Sequence, residues 1–268
     1  MTSSIRTIVI TGASSGIGAA LALRLGAAGW HVALGARREG ELRDVAGRAA
    51  SDAVAVVGDV TRRGDVERLR DEALRAFGRI DVWVNNAGRG ISRHVLELTD
   101  ADFDEMMAVN VKSALYGMQT IVPHFIERGK GHIINVSSFL GRVPLATHRS
   151  AYNAAKAALN ALTANLRADL AANHPGIHVS LVMPGLVSTE FAGHAIGGSG
   201  GAAPSWTSGA GSLPGGAMKP QTPEEVAEAL SNLIDHPAAE IYTNPASDAL
   251  ARRYYEDIAA FEAGMLKQ

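Results

Sequence analysis

The sequence predicts an α/β fold in which helices cover both faces of a doubly wound parallel sheet. Six short segments rich in Val and Ile alternate along the 268 residues with segments of helical composition and period. The strand segments are apolar along their whole length, and not only at every second residue, which is typical of strands buried on both faces. Right-handed connections between such strands give the doubly wound arrangement.

Strands and helices alternate over most of the chain. In order, the predicted strands are TIVIT, HVALG, AVAVVG, DVWVNN, HIINVS and HVSLVMP. The predicted helices lie at residues 16–28, 39–50, 62–77, 100–128, 151–173 and 223–236. The helix at 151–173 is indicated by an alanine-rich segment without Gly or Pro. A chain of this length suits one α/β domain, so we interpret residues 1–268 as a single domain.

Residues 197–220 break this pattern because they are rich in Gly, Ser and Pro. The segment is either a linker or a mobile lid, and its place after the sixth strand favours a lid at about 190–222. Apolar residues in or near it indicate a hydrophobic pocket wall, namely Met183, Phe191, Trp206 and Met218. A C-terminal extension follows at about 245–268.

Composition excludes several classes of function. Twenty-five Lys and Arg against twenty-seven Asp and Glu leave no basic tract for nucleic acid, so we expect no nucleic-acid partner. The absence of Cys excludes disulfides and Cys-ligated zinc, and the nine His show no ligand spacing, so no metal site is expected. No run of eighteen apolar residues and no signal sequence occur. We expect a soluble, cytoplasmic protein without membrane association.

The segment VITGASSGIG indicates a phosphate-binding turn. It places Thr11, Gly12, Gly16 and Gly18 between the first strand and the first helix. Glycine permits a tight turn there, and free N–H groups at a helix start attract phosphate. The spacing matches neither a Walker A loop nor G-x-G-x-x-G. Its position in the first βαβ unit favours dinucleotide binding over a turn that uses glycine for geometry alone.

Tyr152 and Lys156 lie four residues apart in the long predicted helix. Residues at this spacing share one face of a helix, so the two side chains are neighbours. The spacing alone is also compatible with two polar residues on a solvated helix. The pair indicates a catalytic function only when it occurs together with other motifs.

Together, six motifs resemble the short-chain dehydrogenases/reductases. The glycine motif of that family, T-G-x-x-x-G-x-G, is present in full from Thr11 to Gly18. In order there follow NNAG at 85–88, Asn110, NVSS ending at Ser138, Y-x-x-x-K at Tyr152 and Lys156, and PGLVST at 184–189. The resemblance covers about residues 5–190. It implies a Rossmann-type fold and an NAD(P)-dependent oxidoreductase that acts on a small-molecule carbonyl or alcohol substrate.

The end of the second strand bears on the choice of cofactor. In this fold an acidic residue after that strand holds the ribose 2′-OH of NAD, and a basic one accommodates the 2′-phosphate of NADP. Here Ala36 occupies the position of the acid, and Arg37 and Arg38 follow. Arg suits a phosphate dianion because its planar fork donates two parallel hydrogen bonds. We therefore predict NADP(H), with NAD(H) as the alternative cofactor and solvated surface as the alternative role of the arginines.

The resemblance implies further cofactor contacts. Asp59 and Val60 should border the adenine, although Asp59 alternatively caps the helix that starts near Arg62. The full predicted cofactor set is Gly12, Ser14, Ser15, Gly16, Ile17, Gly18, Arg37, Arg38, Asp59, Val60, Asn86, Ala87, Gly88, Tyr152, Lys156, Pro184, Gly185, Val187 and Thr189.

A catalytic set is implied at Asn110, Ser138, Tyr152 and Lys156. Hydride transfer to a ketone builds negative charge on its oxygen, so the site needs a proton donor and hydrogen bonds there. Tyr152 would supply the proton, Lys156 the cation that favours the phenolate, Ser138 a hydrogen bond to the substrate, and Asn110 a water that links Lys156 to solvent. Ser137 competes with Ser138, and the family pattern selects Ser138. The alternative function is a non-catalytic nucleotide-sensing or scaffold protein.

Two features depart from the family pattern. Thirteen residues separate Ser138 from Tyr152, one more than usual, which affects the rim of the substrate pocket. His148 and Arg149 fall in this segment and are candidates for substrate contact. The V-D-G-G type strand near the C-terminus is absent, so a homodimer through helices 100–128 and 151–173 is expected before a homotetramer.

Overall fold

The computed structural model describes residues 5–50, 52–191, 193–197 and 219–266, which form the predicted doubly wound α/β fold. Within these ranges, one parallel sheet has the strand order β3-β2-β1-β4-β5-β6-β7. The strands are β1 Thr7–Thr11, β2 His31–Ala36, β3 Val54–Val57, β4 Val82–Asn85, β5 Gly131–Val136, β6 Ile177–Met183 and β7 Glu240–Tyr242. The helices are α1 Gly16–Ala27, α2 Glu39–Ala49, α3 Arg63–Phe77, α4 Asp100–Met107, α5 Ser113–Arg128, α6 Ser150–Ala171, α7 Pro223–Asp235, α8 Ala246–Glu256 and α9 Ile258–Leu266.

The sheet separates two apolar layers, as the fully apolar strands predict. Successive side chains of β1 point to opposite faces. Ile8 and Ile10 pack in the layer formed with α1, α2 and α7, whereas Val9 packs in the layer formed with α3, α5 and α6. All three side chains are fully buried. Burial on both faces explains why polar alternation is missing from these strands.

The strand order reverses at β1, and this reversal positions the site. Ile10 of β1 pairs with Leu34 of β2 on one side and with Val84 of β4 on the other. The connections from β1 and β4 therefore leave the sheet toward opposite faces. Ligands of such sheets bind in the crevice outside the carboxyl ends of the strands at this point.

A seventh strand was not predicted from the sequence. Leu181 and Met183 of β6 pair with Glu240 and Tyr242 of β7, so the position of the missing V-D-G-G strand is filled by a different sequence. β7 has three residues, none of them fully buried. A short, partly exposed edge strand has no apolar run that a sequence pattern could detect. The C-terminal extension continues as α8 and α9, and its Leu250 packs with Phe139 and Val143.

The helix predicted at 100–128 is interrupted, which corrects that prediction. A π-helical segment, Ala108–Lys112, separates α4 from α5. The amide of Asn110 donates hydrogen bonds to the carbonyls of Met106 and Arg89, at 3.1 and 3.0 Å. A side chain that bonds to the carbonyl four residues earlier competes with the helical bond of its own residue. The interruption thus lies at a predicted site residue.

The predicted lid at about 190–222 falls mainly on residues 192 and 198–218, which lie outside the described residues, as do Trp206 and Met218. Its described ends contact the fold at two bridges, Ile91 with Ile196 and Val187 with Gln221. Met183 is a fully buried residue of β6 and not a residue of the lid. In the part of the chain that the structure describes, no helix has the length and apolarity needed to cross a bilayer.

Candidate active site

One cleft of about 730 Å³ lies outside the carboxyl ends of the strands, within the size range of ligand sites. Nearly all of the predicted site residues line it, which brings together segments from seven parts of the chain. Those lining it are Gly12, Ser14, Ser15, Gly16, Ile17, Arg37, Arg38, Asp59, Val60, Asn86, Ala87, Gly88, Ser138, Tyr152, Lys156, Pro184, Gly185, Val187 and Thr189. Gly18 and Asn110 are the two predicted residues that lie behind this lining. We call the part around Gly12 and Arg38 the cofactor end and the part around Tyr152 the reacting end.

The glycine turn of the cofactor end is held by β4 and the residues after it. Thr11 Oγ1 donates to the carbonyl of Val84 and accepts from the backbone N–H of Asn86 and Ala87. The Asn86 amide donates to the carbonyls of Thr11 and Gly12, at 3.0 and 3.2 Å. These hydrogen bonds fix the turn to the end of β4.

Glycine is required at two positions of this turn. Gly12 has a φ of 65°, and a Cβ there would lie 2.7 Å from the Ala87 Cα. A Cβ on Gly18 would lie 2.6 Å from both the Asn86 amide nitrogen and the Gly12 carbonyl. Gly18 thus acts by letting α1 approach the turn, which explains why it lies behind the lining.

The two predicted arginines have different surroundings. Arg38 donates hydrogen bonds to Ser15 Oγ at 2.6 Å and to Ser14 Oγ at 3.2 Å, and it forms an ion pair with Glu190 at 3.3 Å. Arg37 is exposed and has no hydrogen bond or ion pair with any residue that the structure describes. Arg38 therefore supports the glycine turn, whereas Arg37 presents a guanidinium with all of its donors available.

Asp59 has a turn-forming role beside its position in the cleft. Its Oδ1 accepts from the backbone N–H and the hydroxyl of Thr61, at 2.9 and 2.8 Å. The N-cap residue of α3 is Arg62, and the Asp59 carboxylate accepts no hydrogen bond from the helix. The link between Asp59 and α3 has the opposite direction, because the Asp59 backbone N–H donates to Asp65 Oδ2 at 2.8 Å. The capping alternative is therefore wrong, and the carboxylate instead fixes the turn that places Val60 on the cleft wall.

Tyr152 and Ser138 meet at the reacting end. Tyr152 lies on α6, and burial raises the pKa of its phenol to about 12, against the hydrogen bond with Ser138 and the charge of Arg149. Ser138 follows β5, and its Oγ accepts from the backbone N–H of Leu140 at 3.1 Å. That contact uses a lone pair of Ser138 and leaves its proton for another acceptor.

Ser137, the alternative to Ser138, has a hydroxyl that bonds to other residues of the protein. Its hydroxyl donates to Asn160 Oδ1 at 2.5 Å and lies 3.3 Å from the Lys156 carbonyl. These contacts fasten the end of β5 to α6. Of the two serines, Ser138 is the one whose side chain acts on Tyr152 and lowers the pKa of its phenol.

Lys156 lies one helical turn after Tyr152 and is 3% exposed. Its Nζ donates to the Val136 carbonyl at 2.9 Å and lies 5.7 Å from the centroid of the Tyr152 ring. Burial lowers the pKa of Lys156 to about 7. The close approach of the loop after β5 contributes to this burial, because a Cβ on Gly141 would lie 2.7 Å from the Lys156 backbone.

Asn110 is placed behind the cleft by the π-helical segment. Besides its two donated hydrogen bonds, its Oδ1 accepts from the Arg89 backbone N–H at 3.2 Å. A Cβ on Gly88 would lie 3.0 Å from this oxygen and 3.6 Å from Lys156 Nζ. π-Helical turns are frequent at functional sites, and this one directs Asn110 toward Lys156 across Gly88.

The segment after β6 forms part of the cleft wall. The Pro184 carbonyl accepts from the Phe139 backbone N–H at 2.8 Å, which joins this segment to the residue after Ser138. The Thr189 methyl approaches Gly16, and Thr189 Oγ1 accepts from the Phe191 backbone N–H. Phe191 contacts the Tyr152 ring edge to face, with centroids 5.5 Å apart.

The structure adds lining residues that the sequence did not single out. Arg89, Leu140, Leu145, Ala146, His194 and Ala195 all line the reacting end. Arg89 directly follows the NNAG motif, and this adjacency is the one sequence signal that points to it. The others are supplied by the inserted loop and the segment after β6, whose paths no short motif fixes. His148 and Arg149, candidates from the sequence, line the cleft as well.

The comparisons with known proteins agree with this architecture. An uncharacterized oxidoreductase from Staphylococcus epidermidis is 35% identical over 186 residues, which are 69% of this chain and 80% of that protein. A short chain dehydrogenase/reductase from Burkholderia phymatum in complex with NAD is 27% identical with a TM-score of 0.82, over 96% of this chain and 95% of that one.

A second solved structure carries a phosphorylated form of the cofactor. An alcohol dehydrogenase from the archaeon Thermococcus sibiricus, complexed with 5-hydroxy-NADP, is 27% identical with a TM-score of 0.74. The matched region covers 89% of this chain and 95% of that one. The model of the short chain dehydrogenase family matches residues 6–196, which include the glycine turn and the Tyr152–Lys156 pair. The chain therefore belongs to the short-chain dehydrogenase/reductase family and is an NAD(P)-dependent oxidoreductase.

Proposed function

We propose that this protein transfers a hydride between NADP(H) and a carbonyl or secondary alcohol substrate, with Tyr152 as the general acid and base. One observation carries the proposal. The phenol of Tyr152, the hydroxyl of Ser138 and the ammonium of Lys156 lie together at the buried end of a cleft whose other end is a glycine turn. Asn110 supports this group from behind Gly88.

The reacting end fits the charge that develops in carbonyl reduction. The nicotinamide, when bound, supplies the hydride in reduction and accepts it in oxidation. The substrate oxygen gains negative charge, and the Ser138 hydroxyl donates a hydrogen bond to it. Tyr152 gives its phenolic proton to the same oxygen, which completes the alcohol. In the reverse direction the Tyr152 oxygen takes the proton from the alcohol.

The pKa values of the two buried groups suit two successive proton transfers, first from Tyr152 to the substrate and then from Lys156 to Tyr152. Tyr152, with a pKa raised to about 12 by burial, stays protonated at neutral pH and is ready to act as an acid. Lys156, with a pKa lowered to about 7 by burial, both binds and releases a proton near neutral pH. We propose that Lys156 restores the Tyr152 proton, through a water held by Asn110. As part of the same proposal, the protonated Lys156 favours the phenolate form of Tyr152.

The preference for NADP(H) over NAD(H) rests on Arg37 and Arg38. The last residue of β2 is Ala36, where an acid would hold a ribose 2′-OH, and Arg37 carries unused donors at the place where a 2′-phosphate would lie. Arg38 adds positive charge beside Ser14 and Ser15. A phosphate dianion accepts charge-assisted hydrogen bonds from such groups.

The test is the Tyr152→Phe variant, assayed by NADPH consumption against a panel of ketones and aldehydes. The substitution removes one oxygen and keeps the ring, so folding should be preserved. Turnover should fall by ~10² to 10⁴-fold, the scale of general acid catalysis, while NADPH affinity measured by fluorescence stays nearly unchanged.

The matched control is Tyr116→Phe. Tyr116 packs under Arg63 outside the cleft, so removal of its oxygen should leave turnover unaltered. A Tyr152→Phe variant that keeps more than about a tenth of the parental rate contradicts the assignment of the acid. Binding of NADPH without turnover of any carbonyl compound by the parent protein would favour the nucleotide-sensing alternative.

The assembly expected from the sequence, a homodimer or homotetramer, stays a prediction. Phe103 on α4 is 44% exposed, which supports a further contact on the face that carries α4. Light scattering at several protein concentrations measures the state directly, and a monomer at all concentrations would contradict it.

A further inference from the structure

The reacting end contains a cation that the proposed chemistry does not use. Arg149 precedes α6 and lies one helical turn before Tyr152, on the wall of the cleft. It is half-buried, and burial lowers the pKa of its guanidinium. Burial of a charge is costly unless the charge is paired, so its partners decide what it does.

Arg149 has few partners within the protein. Its Nη1 donates to the Ile91 carbonyl at 3.1 Å, and no ion pair joins it to a carboxylate among the described residues. A guanidinium has five N–H donors. Most of the donors of Arg149 are therefore left for a group that enters the cleft.

Arg89, which lines the same end, differs in this respect. Its side chain forms an ion pair with Glu105 and donates to the His194 carbonyl at 3.2 Å. The charge of Arg89 is thus balanced within the protein. Of the two arginines that line the reacting end in the described part of the chain, Arg149 is therefore the one without a carboxylate partner.

The charges around Arg149 make this end of the cleft electropositive. Of the described residues that line the cleft, one is acidic, and this residue, Asp59, lies at the cofactor end. His148 is a neighbour, and burial together with the charges of Arg149 and His94 lowers its pKa, so it is neutral at pH 7. No acid of the lining offsets Arg149 and Lys156.

The backbone is shaped to hold Arg149 in place. A Cβ on Gly90 would lie 2.9 Å from Arg149 Nη1 and 2.9 Å from the Phe191 ring. The bare glycine therefore lets the guanidinium and the ring lie against the loop after β4. Phe191 and Tyr152 are in contact, so the cation, the ring and the proposed acid surround one space.

We propose that Arg149 binds a carboxylate of the substrate, so that the preferred substrates are short oxo acids and the corresponding hydroxy acids. This inference rests on the proposed function and names its substrate class. The planar fork of Arg matches a carboxylate with two parallel hydrogen bonds. Since Arg149 is the N-cap residue of α6, three residues before Tyr152, and lines the same end of the cleft, the carboxylate lies close to the reacting carbonyl.

The test compares 2-oxo and 3-oxo acids with their methyl esters as paired substrates. The parent should prefer the acids, and Arg149→Gln should lower the acid-to-ester ratio of kcat/KM by about 10- to 100-fold, the effect of losing a charged hydrogen bond. Glutamine retains a donor for the Ile91 carbonyl, so the fold is maintained. Arg149→Lys should give an intermediate ratio, because it keeps the charge and loses the fork.

The control is the double variant Arg89→Gln with Glu105→Gln. It removes an ion pair from the same wall without changing net charge, so the acid-to-ester ratio should stay at the parental value. An equal loss for acids and esters in Arg149→Gln would show that Arg149 acts on Tyr152 and would overturn the proposal. So would a parent that prefers the esters.

A binding measurement separates this proposal from the proposed function. Butyrate, which has a carboxylate but no keto group to reduce, is titrated calorimetrically into the NADPH-bound parent and Arg149→Gln proteins. Binding that weakens at least tenfold in Arg149→Gln supports the carboxylate site even if no carbonyl compound is turned over. Equal binding, or none to either protein, overturns it, and turnover of neutral ketones would then leave the proposed function standing.

Discussion

Two clusters of buried or half-buried polar side chains lie within this fold, and they differ in how many of their hydrogen bonds are made within the protein. The sheet cluster comprises Trp83, Asn85, Asn135 and Thr163, between the sheet and the helices α5 and α6. The cleft cluster comprises Ser138, Arg149, Tyr152 and Lys156. Both are held by β-strand ends and α6, so their location alone does not distinguish structural from functional residues.

In the sheet cluster, each polar side chain has a partner inside the protein. Trp83 Nε1 donates to Asn85 Oδ1 at 2.8 Å, and the Asn85 amide donates to Asn135 Oδ1 at 2.8 Å. Asn135 donates to Thr163 Oγ1 at 2.9 Å, and Thr163 donates to the Leu159 carbonyl at 2.7 Å. The chain of hydrogen bonds is neutral and ends on a helix backbone.

The cleft cluster contains two cations whose donors are mostly unused. Lys156 and Arg149 each donate one hydrogen bond, to the carbonyls of Val136 and Ile91. Burial moves their pKa values down and that of Tyr152 up. Polar groups whose hydrogen bonds are all made within the protein stabilise the fold, whereas groups with unused donors that face a cleft are available to bind a ligand.

The largest expected effect is on turnover. Lys156→Ala should lower turnover roughly 10²-fold or more, because it removes the group proposed to restore the Tyr152 proton. Unlike Tyr152→Phe, it should also weaken NADPH binding measured by fluorescence, since the family resemblance places this ammonium on the nicotinamide ribose. Unchanged NADPH affinity in Lys156→Ala would remove the cofactor contact from its proposed role.

The buried Lys156 should also be visible in the pH dependence of stability. Its pKa is about 7 in the folded protein and 10.5 ordinarily, so between these values the unfolded chain binds more protons. The free energy of unfolding should therefore rise with pH from about 7 to 10, by up to about 1.4 kcal/mol per pH unit. Urea unfolding of the parent and Lys156→Met at several pH values measures this.

Above pH 10 the raised pKa of Tyr152 acts in the opposite direction, because the unfolded phenol loses its proton first. The window between pH 7 and 10 therefore isolates Lys156. Lys156→Met should show a flatter pH dependence than the parent there. An equal slope in the two proteins would mean that Lys156 is charged in the folded state.

A substitution in the sheet cluster should change stability and leave the chemistry intact. Asn135→Ala removes the nearer of the two acceptors of the Asn85 amide and leaves only the Ala114 carbonyl at 3.4 Å, so it should lower the free energy of unfolding by about 1–3 kcal/mol. Residual folded protein should keep its affinity for NADPH. The control is Asn173→Ala in the exposed turn after α6, where a change within about 0.5 kcal/mol is expected. Equal effects of the two substitutions would contradict a structural role for the cluster.

The smallest expected effects concern cofactor choice. Arg37→Ala should lower kcat/KM for NADPH about tenfold and leave NADH unaffected, because only a 2′-phosphate engages its free guanidinium. Arg38→Ala should weaken both cofactors, since Arg38 also supports Ser14 and Ser15 of the glycine turn. Ala36→Asp should shift the preference toward NADH.

Arg43→Ala, which removes an exposed partner of Glu39 on α2, is the control for a change in surface charge. Equal use of NADPH and NADH by the parent would contradict the assignment of Arg37 and Arg38.

Much of the fold and the site could be predicted because the signals are local. Strands buried on both faces are apolar throughout, and the glycine turn needs residues without a Cβ at fixed positions. β7 was missed because a three-residue edge strand is defined by its partner β6 and not by its own composition. The interruption at Asn110 was missed because it depends on the Arg89 carbonyl, which reaches it from another segment.

The sequence by itself determined the alternation of strands and helices, the position of the glycine turn and the pairing of Tyr152 with Lys156, since these depend on backbone period and on residues close in the chain. The tertiary structure decided which polar groups complete their hydrogen bonds. It paired Arg89 with Glu105, left Arg149 beside Tyr152 without a carboxylate, and buried Lys156 under the loop after β5. Hydrogen bonding and burial depend on contacts between distant segments, and those contacts exist only in the folded chain.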